Sequence, residues 1–236
     1  MKITLLTGKT FDISEAVGMN IKVVQAKGVR KLTLRIDSKE RVPVLSVPKW
    51  CSKKHAVNFI NEHMDWLIEN LSKMPPIKHF TDGMEISLFG QKVLIKHCPD
   101  KRRGTWLEDN ILYVSGSAEF LHRRVKDYIK KQAETEFFRI SSQLATQIGQ
   151  KLNSVCIKDT KSRWGSCSSL HNINYSWRIA LAPQEVIDYL MAHEVSHLKH
   201  PDHSDDFWAC VASLCPEWSR GRIWLKRYGK TLYAYK

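Results

Sequence analysis

Paired cysteines are missing from this 236-residue chain: Cys51, Cys98, Cys156, Cys167, Cys210 and Cys215 stand without short pairings, and no CxxC occurs. That excludes a disulfide framework and a thiolate zinc site, and leaves free thiols in a reducing compartment. Long apolar runs are lacking too. None approaches the roughly 18 residues of a membrane span, and the opening MKITLLTGKTFD turns polar too soon for a signal-peptide core. The expectation is a cytoplasmic protein with no membrane contact. There is no internal repeat and no low-complexity segment. Carboxylates are few: 24 Asp+Glu stand against 37 Lys+Arg, a formal net charge of +13. With 43 % hydrophobic residues the chain has ample material for a core, which excludes a disordered tail. The charge admits a polyanion such as DNA as a partner. Most of the excess lies early, with 25 Lys+Arg against 16 Asp+Glu in residues 1–150 and 12 against 8 thereafter.

Short β-branched segments, IKVVQA, LTLRI with Leu32, Leu34 and Ile36 on one face, and VPVLSV, predict a small antiparallel sheet between Ile21 and Val47. Ser52 then opens a helix carrying Val57, Ile60, Met64, Leu67 and Leu71 on one face and ending before Pro75-Pro76. Beyond a PPIKHFTDG connection, MEISLF, QKVLIKH and WLEDNILYVSG predict strands, with Gly90 and the Pro99–Gly104 region as turns. From Ser117 a long helix follows to about Gly149, with Leu121, Val125, Tyr128, Ala133, Phe137, Ile140, Leu144 and Ile148 mostly three, four or seven apart. SVCIKDT and NINYSWRIAL predict strands around a Trp164-Gly165 turn. Pro183 starts a helix that Pro201 forbids to continue, and two shorter helices follow, about Ser204–Leu214 and Glu217–Tyr228. The chain thus reads as α+β, in two parts: a β-rich region with one helix over residues 1–115, supporting the rest or recognising substrate, and a catalytic domain over residues 116–236.

Chemistry concentrates in His193-Glu194-Val195-Ser196-His197, an HExxH arrangement on the helix after Pro183. At about 100° and 1.5 Å per residue, His193 and His197 point about 40° apart and stand about 6 Å apart along the axis, so both imidazoles reach one ion. Glu194 emerges beside them, where a carboxylate can take a proton from a metal-activated water without being a ligand. The break at Pro201 is followed by His203, placed to fold back as third ligand; three protein ligands and an open position describe catalytic zinc. His200 competes for that place, but on a helix it points about 300° from His197. Asp205, Asp206 and Glu217 are carboxylate fallbacks. A metzincin reading fails, since His200 occupies the position of the turn glycine and no Met follows Met191.

RWGSC (Arg163 to Cys167), NINYSWRIALAP (Asn172 to Pro183) and YLMAHEVSHLKHPDHSDDFW (Tyr189 to Trp208) resemble the YgjP-like metallopeptidases, relatives of the SprT-like zinc proteases. RKLTLRID, VPVLSVPKW, the Asp65-Trp66 pair and FTDGMEISLFGQKV extend the resemblance over nearly the whole chain. It implies a small gluzincin-like zincin core holding one Zn2+ on His193, His197 and His203, with Glu194 as general base and proton donor, acting on protein or peptide substrates. Proteases of DNA–protein crosslink repair share the ligand spacing, which gives the positive charge a meaning. Val195 departs from the Leu expected after the Glu. Zincins hold substrate as an added strand, for which Asn172–Leu181 is the candidate. Arg163 and Trp164 are candidates for shaping the cleft, Cys167 for a latent-state ligand and Asp188 for support of a ligand's second nitrogen. Phe207, Trp208, Val211 and Leu214 read as core that pins the loop carrying His203. Trp218, Trp224, Tyr228 and Tyr233, interleaved with Arg220, Arg222, Lys226 and Arg227, suit either base stacking or an aromatic core under a solvated face. Two rival readings are a nucleic-acid-binding module with structural zinc and a zinc hydrolase of a non-peptide substrate.

Overall fold

The computed structural model describes residues 13–25, 28–37, 40–160 and 163–236. By its contacts the chain divides into two compact units, Met1–Pro76 and Ile77–Lys236. In the first, β1 (Lys22–Gln25), β2 (Thr33–Asp37) and β3 (Val42–Val47) form a sheet in the order β1-β3-β2. β2 pairs antiparallel with β3 as expected, but β1 pairs parallel with it, so the sheet is mixed. Alternation in the sequence sets which face is buried but is blind to strand direction. Ile13, Ile21, Val23, Leu45, Val47, Ala56, Ile60 and Leu67 form the core of this unit.

After α1 (Ser14–Val17), the helix expected from Ser52 is divided into α2 (Lys53–Glu62) and α3 (Met64–Ser72). Ser52 caps α2, its hydroxyl accepting from the His55 N–H at 3.3 Å. The break has a local cause. His63 Nδ1 donates to the Phe59 carbonyl at 2.8 Å, taking the acceptor its own backbone N–H would have used, and that N–H turns to Ile60 instead. The apolar period continues through this break, which is why spacing alone does not reveal it.

The second unit opens with β4 (Glu85–Leu88), β5 (Gln91–Cys98), β6 (Thr105–Glu108) and β7 (Ile111–Ser115), in the order β4-β5-β7-β6 with β5 and β7 parallel. Their inner face, including Ile86, Val93, Ile95, Leu112 and Val114, shares one core with α4 (Leu121–Gln147) and α5 (Gln184–Ser196). The contact boundary therefore falls at Pro76–Ile77 and not after Ser115. α4 buries a line of residues four apart, Leu121, Val125, Ile129, Ala133, Phe137, Ser141 and Ala145, with Tyr128, Ile140, Leu144 and Ile148 packed beside it. Among the described residues no helix is long and apolar enough to cross a membrane.

A third sheet, ordered β8-β10-β9, joins β8 (Ser154–Lys158), β9 (Gly165–Cys167) and β10 (Asn172–Ser176). The strand expected to run on to Leu181 stops at Ser176, and Trp177–Leu181 is a fully buried 3-10 turn. Hydrogen bonds from two residues hold this turn and aim α5. Phe89 N–H donates to the Ala180 carbonyl at 2.8 Å, from the tight turn whose Gly90 (φ +76°) leaves no room for a Cβ beside Gln184 (2.8 Å). Arg178, wholly buried, donates through Nε to the Tyr235 carbonyl at 3.0 Å, pairs with Asp159 and stacks on Trp177 and Tyr233. α6 (Asp205–Leu214) and α7 (Trp218–Tyr228) complete the unit, α7 crossing α5 where Gly221 allows a close approach: a Cβ there would meet Tyr189 Cβ at 2.5 Å. Replacing Arg178 with Ala removes the buried donor to the Tyr235 carbonyl and its pairing with Asp159, and should cost about 3 kcal/mol of stability in urea unfolding, with the His193 and His197 side chains untouched.

Candidate metal centre

The α5 helix carries His193 and ends at Ser196, with His197 one turn beyond His193, as the spacing predicts. His197 caps it, and the N–H groups of Leu198, Lys199 and His200 fold onto carbonyls of Val195 and Ser196. Pro201 prevents the helix from resuming, and the chain returns through His203 to α6. One ring nitrogen from each of His193, His197 and His203 lies within 4.8 Å of the others, the only such group of three among the described residues. His193 Nε2 and His203 Nε2 are 3.4 Å apart. Two nitrogens each about 2.0–2.1 Å from one ion at a tetrahedral angle would stand about 3.3–3.4 Å apart, so the donor set fits zinc.

His200 enters the centre by its backbone. Its carbonyl lies 3.0 Å from His197 Nδ1, and because a carbonyl only accepts, Nδ1 carries the proton and Nε2 keeps its lone pair. Burial and the neighbouring His197, His203 and Arg222 hold His193 down to about 3, and burial lowers His197 as well, so both rings are neutral at pH 7. Phe207, fully buried on α6, sets its ring 4.5 Å from that of His197, 4.8 Å from His203 and 5.0 Å from His193. It packs with Val211 and Ala192, which is the pinning core expected for the loop.

Glu194 is 5 % exposed, on the wall of a cleft of about 570 Å³ that the three histidines share with Arg163, Cys167 and His171. Burial pushes its carboxyl up to about 8, against the pull of Arg163. The strand β9 lies flat against it: a Cβ on Gly165 would collide with the Glu194 carboxyl, at 2.6 Å from both Cγ and Cδ. In the sequence this glycine reads only as part of a turn. The available signal was a glycine within a strand just upstream of the motif, which marks close backbone approach.

Other candidates fall elsewhere. β10 is the central strand of its sheet, so Asn172–Leu181 offers no free edge; β9 does. Asp188 is exposed and accepts from Gln184 Nε2 at 2.7 Å, while His193 Nδ1 is buried without a partner. Cys167 lines the cleft with the histidines, its thiol pushed up to about 11 by burial and then by Glu194. Trp164 packs on Tyr233, 4.7 Å between centroids, and Trp218 on Trp208 at 4.9 Å with Arg222 over both, so much of the C-terminal aromatic set is packing. All six cysteines are free thiols. If the three imidazoles hold zinc, adding it at about 100 times its Kd should raise stability by about 2.7 kcal/mol, seen as an upward shift in melting temperature that His203→Ala removes.

No curated protein and no solved structure matches the chain. A family model does: the one described as YgjP-like, metallopeptidase domain, matches residues 30–228, taking in both the small sheet from β2 onward and the whole histidine cluster. By that match the chain belongs to the YgjP-like metallopeptidase family.

Proposed function

We propose that this protein is a zinc-dependent endopeptidase, with His193, His197 and His203 as the ligands of one ion and Glu194 as general base. The observation that carries the reading is the buried Glu194 beside three converging imidazoles in an open cleft. Zinc, when bound, supplies Lewis acidity that polarises a carbonyl and makes water more acidic. Glu194, one residue from His193 and lining the same cleft, accepts the proton of the attacking water and returns it to the leaving amine. The nearby positive charges of Arg163 and of a metal favour its carboxylate form over the neutral form that burial alone prefers.

β9 gives the substrate class its physical basis. It is an edge strand ending the sheet on the cleft side, and Gly165, Ser166 and Cys167 all line the cleft. An extended peptide laid beside it gains main-chain hydrogen bonds independent of its side chains, which suits an unfolded protein segment. Gly165 brings that backbone onto Glu194, so the scissile bond and the base share one place.

Zinc-loaded wild type should cleave an unfolded protein, and Glu194→Gln should retain zinc while losing about 10³-fold or more in kcat. Equal cleavage by the variant would contradict the role. Gly165→Ala should likewise bind zinc but lose at least about 10²-fold in kcat, because the added methyl displaces either Glu194 or β9. Unchanged turnover there would show that β9 does not set the position of the base.

A further inference from the structure

A second concavity, of about 690 Å³, lies away from the histidines, between the turn that follows β5 and the first half of α4. Lys101 and Arg102 form one wall, Arg123 and Lys131 the other, with Ser115 and Gly116 among the residues between. Arg124 is fixed there: Nη1 donates to the Ser115 carbonyl, and the guanidinium lies so close to Gly116 that a Cβ would meet it at 2.6 Å. The other four cations are exposed and form no ion pair among the described residues. A single carboxylate, Asp127, stands among five positive groups.

Like charges gathered around one concavity repel each other and focus a positive field into it, an arrangement that an anion relieves. From Arg123 to Lys131 the helix advances about 12 Å, a track long enough for several successive phosphates of one strand. The lining offers no apolar slot to enclose a base or a small organic anion: apart from Pro99 and Tyr128 it is Gly, Ser, Thr and charged side chains. A positively charged groove that tracks a phosphate backbone is the electrostatic part of sequence-independent single-strand binding.

We infer that the cleft between the 99–104 turn and α4 binds the phosphodiester backbone of single-stranded nucleic acid. This site is separate from the histidine centre and does not depend on peptide hydrolysis. The test is fluorescence anisotropy with a labelled oligothymidylate and the zinc-loaded full chain, across a salt series. Arg123→Glu with Lys131→Glu should weaken binding at least about tenfold and reduce the log–log salt slope by about 1.4, at about 0.7 per lost phosphate contact. Lys101→Gln with Arg102→Gln, on the turn and harmless to the helix, should act in the same direction if the first pair disturbs folding. Lys226→Glu with Lys230→Glu, the same change in net charge elsewhere, should leave affinity within about twofold. Equal weakening by that control pair would overturn the site, reducing the binding to overall charge. Displacement of the strand by ATP at comparable concentration would overturn the strand reading in favour of a small phosphate ligand.

Discussion

Three imidazoles must be held close together, neutral and with their lone pairs facing one point, and the second unit of the protein is arranged around that requirement. Isolated histidines would drift apart or take up protons. Here the helical repeat spaces two of them, a proline-enforced reversal returns the third, and Phe207 packs against all three rings, while burial disfavours the charged form of His193 and His197. The carbonyl of His200 settles the tautomer of His197, and it can do so only because α5 unwinds immediately after Ser196. Helix termination and ligand chemistry are one feature of this chain.

Support for α5 comes at its start and along its length. At the start, the Phe89–Gly90 turn and the buried Arg178 lock the 3-10 turn that feeds the helix, tying it to the four-stranded sheet and to the C-terminal segment. Along its length, α7 comes close through Gly221 and α4 packs behind. Glu194 sits against the backbone of β9 at Gly165, where a side chain would collide with its carboxyl. The same glycine that admits the carboxyl lies on β9, an edge strand on the cleft, which couples the proposed base to the proposed substrate strand.

Much of this was legible in the residues. Local signals served well: Ser52 as a cap, Pro201 as a stop, the histidine spacing, and the alternation of Leu32, Leu34 and Ile36. What escaped was set by partners distant in the chain or by competing hydrogen bonds. A side-chain bond from His63 divides α2 from α3 without disturbing the apolar period. The parallel pairing of β1 with β3, and the central place of β10, depend on strand order, which alternation does not encode. Trp177–Leu181 is apolar enough for a buried strand, yet Arg178 and its ties to Asp159 and Tyr235 make it a turn. The strands β4–β7 belong with α4 because their apolar face fits its buried line, a match of surfaces that no single segment displays.

The histidine centre itself is most directly read by zinc-edge X-ray absorption on the loaded full chain. The account predicts three imidazole nitrogens at about 2.0–2.1 Å and one further light atom, with one imidazole lost in His203→Ala. A sulfur at about 2.3 Å, which would bring Cys167 onto the metal, or an unchanged spectrum in His203→Ala, would contradict it.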